Sequence, residues 1–267
     1  MTDPGNPSPR HATMFSPAPG AAPLWRMILA QSAMELRVLL RNGEQLLLTM
    51  VIPVLLLVGF SVTTLVDLGS GAPVDYLTPG VLALAVMSTA FTGQAISTGF
   101  ERRYGVLKRL GASPLSRFGL LAAKTLAVLA IQALQATVIC TVAFTLGWSP
   151  TAGVGGVGYA LALVLLATAA FSSLALLMAG TLRAEATLAA ANLVYVVLLG
   201  LGGVVFPVER FPEFLWPVLE ALPITALASG LRAVLTEGAA PPPLPLLVLA
   251  LWTVAGAALA SRLFRWE

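Results

Sequence analysis

The sequence predicts an all-α integral membrane protein. Six transmembrane helices follow an N-terminal interfacial amphipathic helix, a short basic helix lies between the second and third spans, and a re-entrant helical hairpin lies on the outer face. Three observations lead there. Of 267 residues, 58% are hydrophobic and 10% charged, and the mean hydropathy is +0.90, whereas soluble domains average about 45–50% apolar and about 25% charged. Six stretches approach or exceed the roughly 20 apolar residues needed to cross about 30 Å of hydrocarbon. Lys and Arg gather in alternate loops. This composition excludes a disordered chain and leaves too little polar sequence to cover a water-facing surface. The net charge of only +3 gives no basic tract for gripping nucleic acid. The sole cysteine, Cys140, excludes an internal disulfide and a Cys-based metal cluster, and the position of the sole histidine, His11, in a Pro-rich tail argues against a His-built zinc site or a Ser-His-Asp triad.

Residues 1–23 hold six prolines and almost no large apolar residue before Phe15, and are expected to be a disordered cytoplasmic tail. Residues 24–45 carry the interfacial helix. Trp25, Ile28, Leu29, Leu36, Leu39 and Leu40 recur at three- and four-residue steps, with Arg26, Arg37 and Arg41 on the other side, the pattern of a helix lying in the headgroup plane. Asn42-Gly43 ends it. Residues 46–267 form the six-span domain, with spans expected at Leu46–Val66, Pro79–Phe100, Phe118–Leu146, Val154–Leu182, Ala186–Phe206 and Leu244–Ser261. The first is longer than a signal-peptide core and lacks a cleavage pattern, so it is expected to be retained. Pro53 should kink it. Placing both termini inside puts 13 of the 15 basic residues at the cytoplasmic side and leaves only Arg210 and Arg232 outside, as the positive-inside rule requires.

Between Phe206 and Pro243 no single helix can cross lipid, because Pro207, Pro212, Pro217 and Pro223 alternate with Glu209, Glu213 and Glu220. Pro212 and Pro223 each suit the first turn of a short helix. Phe211, Phe214 and Trp216 suit the headgroup level. Two short interfacial or re-entrant helices are expected there.

The most informative polar run is ERRYGVLKRLGASPLSR, Glu101–Arg117. Glu101 to Leu110 is expected as one short helix. Gly111 falls just past its end, and Ser113-Pro114 caps and starts the third span. Val106, Leu107 and Leu110 make an apolar strip among basic residues, which either docks into a groove on a partner or belongs to a basic loop lying on anionic headgroups. The helix-break-helix punctuation favours docking. This run, and the outer segment FPVERFP with LPIT and SGLRAVL downstream, closely resemble the membrane subunits of type-two ATP-binding-cassette exporters, in particular drug- and antibiotic-efflux permeases of high-GC bacteria. The resemblance covers most of the chain from Leu24 onward. It implies six spans, a paired second permease subunit, and a coupling helix seated in a cleft of a separate nucleotide-binding ATPase subunit. On that likeness Glu101, Arg102, Arg103, Tyr104, Lys108 and Arg109 would meet the ATPase, and Trp25 to Arg41 would form the interfacial helix. ATP and Mg would be held by the partner subunits, with no cofactor in this chain. The basic loop is richer in Arg and Lys than in many relatives.

Two absences agree with that implication. No G-x-x-x-x-G-K-[ST] run exists, since Lys108 follows Leu107 and Lys124 follows Ala123, so no P-loop can cradle a nucleotide here. The span interiors lack Asp and Glu, which ion-coupled secondary transporters place near mid-membrane. A membrane-embedded lipid-modifying enzyme would need nucleophile, acid or metal ligands gathered at one interface, and the acids are scattered. A passive scaffold is the third alternative. Gln94, Gln132, Gln135 and Asn192 are the amides within spans. They either hydrogen-bond neighbouring helices, the commoner use, or line a path for cargo between paired subunits. Lys124 is expected to snorkel to the cytoplasmic interface.

Overall fold

The computed structural model describes residues 22–62, 72–111 and 115–263, so the expected tail lies outside the described residues over positions 1–21. Every regular element among the described residues is helical. The helices are α1 (Leu24–Arg41), α2 (Gly43–Val62), α3 (Pro73–Met87), α4 (Gln94–Arg103), α5 (Val106–Gly111), α6 (Arg117–Thr145), α7 (Val154–Thr181), α8 (Ala184–Leu201), α9 (Trp216–Glu220), α10 (Pro223–Leu235) and α11 (Pro243–Leu263). A π-helical turn, Ser88–Gly93, joins α3 to α4 without a break, so Pro73–Arg103 is one helix of 31 residues. Among the described residues five helices are long and apolar enough to cross a membrane: Pro73–Arg103, Gly119–Thr145, Val154–Thr181, Ala184–Leu201 and Pro243–Leu263. In α2 the apolar run Thr49–Val62 is shorter, and the expected end of that span at Val66 lies outside the described residues. Glu213–Glu220 and Pro223–Leu235 meet at 89°, as a broken span or a re-entrant loop.

Two boundaries differ from the sequence expectation for reasons that lie elsewhere in the chain. The second span begins at Pro73, six residues before Pro79, and Pro79 sits inside the helix. Proline lacks the N–H that would bond the carbonyl four residues back, and that carbonyl, Asp75 O, is instead met by Thr236 Oγ1 at 2.8 Å. Pro53 inside α2 is handled the same way: Thr49 O, its missing partner, accepts from Gln135 Nε2 at 3.1 Å. The fifth span ends at Leu201 rather than Phe206, because the chain turns inward there and buries Val204 and Val205. Gly80 makes room for that segment, since a Cβ on it would lie 2.5 Å from Val204 O.

The core gathers Leu84, Met87, Phe91, Phe171, Ile224 and Leu227 at the meeting of α3, the π turn, α7 and α10. The loops sort to two ends. At one, Thr151 N donates to Leu235 O at 2.9 Å and Thr236 reaches Asp75, while Arg232 donates through Nη2 to Gly203 O at 3.1 Å and stacks 3.6 Å from the Tyr76 ring centre. The opposite end, richer in Arg and Lys, holds the close of α4, the starts of α6 and α8, and α1. The alternation on which the sequence topology rests therefore appears as convergence of the corresponding loops.

Candidate functional site

At the basic end, α4 stops where Tyr104 and Gly105 turn the chain. Gly105 has φ +70°, a left-handed conformation that side chains other than glycine adopt at a cost, and α5 restarts with Arg109 N donating to Gly105 O at 3.2 Å. The expected single helix from Glu101 to Leu110 is thus two. Glu101, Arg102 and Arg103 complete the second span, and Val106–Gly111 hangs from it through the glycine. Gly111 is the last residue of α5, not the residue beyond it. Ser113-Pro114 lies outside the described residues. The cap of the third span is Ser116, whose Oγ accepts from Gly119 N at 3.1 Å, so α6 starts at Arg117.

The residues expected to meet a partner divide into two groups. Glu101 turns inward to Lys124 Nζ at 2.8 Å. Arg102 donates to Leu182 O, and Arg103 pairs with Glu185, so both hold the α4 end to the α7–α8 corner. Leu107 is buried within the chain, which leaves it no part in an outward apolar strip, while Val106 and Leu110 are half-buried. Tyr104, 65% exposed, and Lys108 and Arg109 face outward.

The α1 helix follows its expected bounds and packs along α6. Trp25, Leu29, Leu40, Arg37 and Arg41 are exposed, and Ile28, Leu36 and Leu39 are half-buried. Arg26 lies 5.1 Å from the Trp25 ring centre. Glu35, which the sequence pattern did not single out, accepts from Gln31 Nε2 at 2.9 Å and lies 3.2 Å from Lys124 Nζ. Lys124 is 6% exposed and does not snorkel: two carboxylates meet it in place. A lone Lys in an apolar span demands such a partner, and that demand was the available signal for Glu35.

The four span amides do not share one path. Gln135 is fully buried, accepts from Thr89 Oγ1 at 2.8 Å and donates to Thr49 O, linking the π turn, α6 and α2. Gln132 accepts from Thr168 Oγ1 at 2.9 Å and donates to Val86 O at 3.4 Å, linking α6 to α7 and α3. Gln94 lines a cleft beside Lys124. Asn192, exposed on α8, lies instead in a groove of about 410 Å³ with Thr49, Ser88, Thr92 and Tyr195. The groove opens between α2 and α8, whose outer faces present Leu47, Val51, Leu55, Leu193, Val196 and Val197. Polar groups at that depth require partners or water, because lipid supplies neither. A π turn on its wall fits the frequent placement of π-bulges at functional sites.

With five helices among the described residues long and apolar enough to cross a membrane, the bundle is that of a multi-pass membrane protein. The chain belongs to the ABC-2 type transporter family, whose model matches residues 27–236. That match runs from α1 to the residue after α10, and so takes in the basic end, the groove and the bent pair. No curated protein matches the chain. As an ABC-2 membrane domain it is a component of a transporter and not itself a P-loop enzyme.

Proposed function

We propose that this chain is the permease subunit of an ATP-binding-cassette exporter in the bacterial plasma membrane, moving a hydrophobic or amphipathic molecule (a drug, an antibiotic or a lipid-like compound) outward. Residues 1–23 are a cytoplasmic tail, 24–45 the interfacial helix and 46–267 a six-span domain, α2 being the first span and the bent pair an outer re-entrant hairpin. The basic end and both termini face the cytoplasm. A second permease subunit, identical or related, covers the groove holding Asn192, and cargo passes between the two. ATP and Mg act on separate nucleotide-binding subunits.

The observation that carries this reading is the continuity of Pro73–Arg103. The same helix lines the groove through Ser88 and Thr92 and ends at the turn that exposes Tyr104 and from which α5 presents Lys108 and Arg109. On this reading a push on α5 reaches the groove through that helix, the two-state linkage between sites that coupling demands. Reversing the exposed charges, Lys108→Glu with Arg109→Glu, tests it. The variant permease is expected to insert normally but to lose co-purification with its ATPase and substrate-stimulated hydrolysis. Undiminished co-purification and stimulation would remove α5 from the partner contact.

A further inference from the structure

Lys124 has no part in that account, yet it is a charged side chain buried in an apolar helix, 6% exposed. It lies about two turns into α6, and its ammonium sits between Glu101 of α4 at 2.8 Å and Glu35 of α1 at 3.2 Å. Apolar residues of similar size would hold a static join between helices as well or better, and ionisable residues at membrane depth generally serve function. The packing shows what three charges add. The α4 helix packs chiefly on α7 and α8, and Arg102 and Arg103 tie its end to the corner between them. On its other side a cleft with about 60 Å³ of space for water-sized molecules separates it from α1 and α6, with Gln94 and Ser97 on one wall and Ala127 and Ile131 on the other. Side chains join the second span to α6 at three places: Gln132 to Val86 O, Thr89 to Gln135 at the π turn, and Glu101 to Lys124 at the basic end. An ammonium flanked by two carboxylates can keep one when the other departs, so such a bridge can part without leaving a bare buried charge.

We propose that Lys124 is a positioning residue for coupling, a charged latch that holds the lever end of the second span against the α1–α6 pair. When the lever swings, Glu101 leaves and Glu35 keeps the ammonium, which makes α1 part of the path between the ATPase and the groove. The meaning of the swing rests on the function proposed above; the latch itself is a property of the permease alone.

Two measurements keep these apart. In purified permease carrying Cys140→Ser, Ser97→Cys and Ala127→Cys place thiols on facing walls of the cleft for a short bifunctional thiol reagent. Cross-linking is expected to be efficient with Lys124 present and to fall several-fold with Lys124→Met. It should recover in Glu101→Lys with Lys124→Glu, which keeps one ammonium and two carboxylates across the cleft. Equal yields in all three proteins would overturn the latch. In proteoliposomes of the full complex, ATP consumed per molecule exported is expected to rise several-fold with Lys124→Met and to return with Lys124→Arg, which keeps the cation on α6 beside Glu35. A merely structural role would lower both rates together, leave that ratio unchanged and overturn the proposal. Should the unaltered complex export nothing on ATP, the functional reading fails, and the cross-linking result alone decides the latch.

Discussion

Gln135→Met tests how the intramembrane polar groups are used. Gln135 is fully buried, accepts from Thr89 Oγ1 at 2.8 Å and donates to Thr49 O at 3.1 Å. The second bond exists because Pro53, four residues beyond Thr49, has no N–H to give. Hydrogen bonds within membrane bundles contribute about 0.6 kcal/mol on average and about 1.7 at most. A carbonyl left without a donor adds a desolvation penalty of about 1–3 kcal/mol. With volume nearly conserved, the substitution should cost about 2–4 kcal/mol on those figures. The sharper expectation is a cycle with Pro53→Ala, which returns an N–H to α2 and gives Thr49 O an in-helix donor. In that background Gln135→Met should cost only about 1 kcal/mol, a coupling of about 1–3 kcal/mol between the two positions. Unfolding of the four proteins in detergent micelles, followed by far-ultraviolet circular dichroism, measures each corner. Additive costs, with no relief from Pro53→Ala, would refute the claim that Gln135 stands in for the proline's missing donor.

Gly80→Ala would place its Cβ 2.5 Å from Val204 O, a backbone clash costing about 1–3 kcal/mol. The control Gly158→Ala, on open surface of α7, should be neutral or stabilising in the same unfolding assay. Ser116→Ala removes the cap of α6 and should cost about 1 kcal/mol, and Ser116→Asp should retain it. Lys108→Glu with Arg109→Glu should abolish ATPase co-purification at unchanged membrane insertion, whereas Lys124→Met should preserve co-purification while degrading the yield of transport per ATP.

Much of the architecture is legible in the sequence where one segment decides it. The third, fourth and sixth spans and α1 follow from apolar length and periodicity, and each begins and ends within about three residues of expectation, the usual margin for helix boundaries. The second span is not legible at its start, because Pro79 reads as a break until Thr236, 161 residues away from Asp75, supplies the donor that lets the helix continue. The early end of the fifth span likewise depends on Gly80 far back in the chain. At the candidate site, the basic character of Glu101–Arg117 is plain from composition. Which of its charges turn inward is not, since Leu182, Glu185, Lys124 and Glu35 come from other helices. Lys124 shows both sides: its presence in an apolar span announces a partner, but only the fold selects Glu35 and Glu101 among the acids.

The central claim is that this chain is a conduit driven from outside itself, and side-by-side flux in proteoliposomes tests it most directly. Vesicles holding the permease together with its co-purifying ATPase should accumulate an amphipathic cargo when ATP is present and lose that uptake with Lys108→Glu and Arg109→Glu. Vesicles holding the permease alone should accumulate none. Concentrative transport by the permease alone, driven by a proton or sodium gradient and indifferent to ATP, would contradict the account.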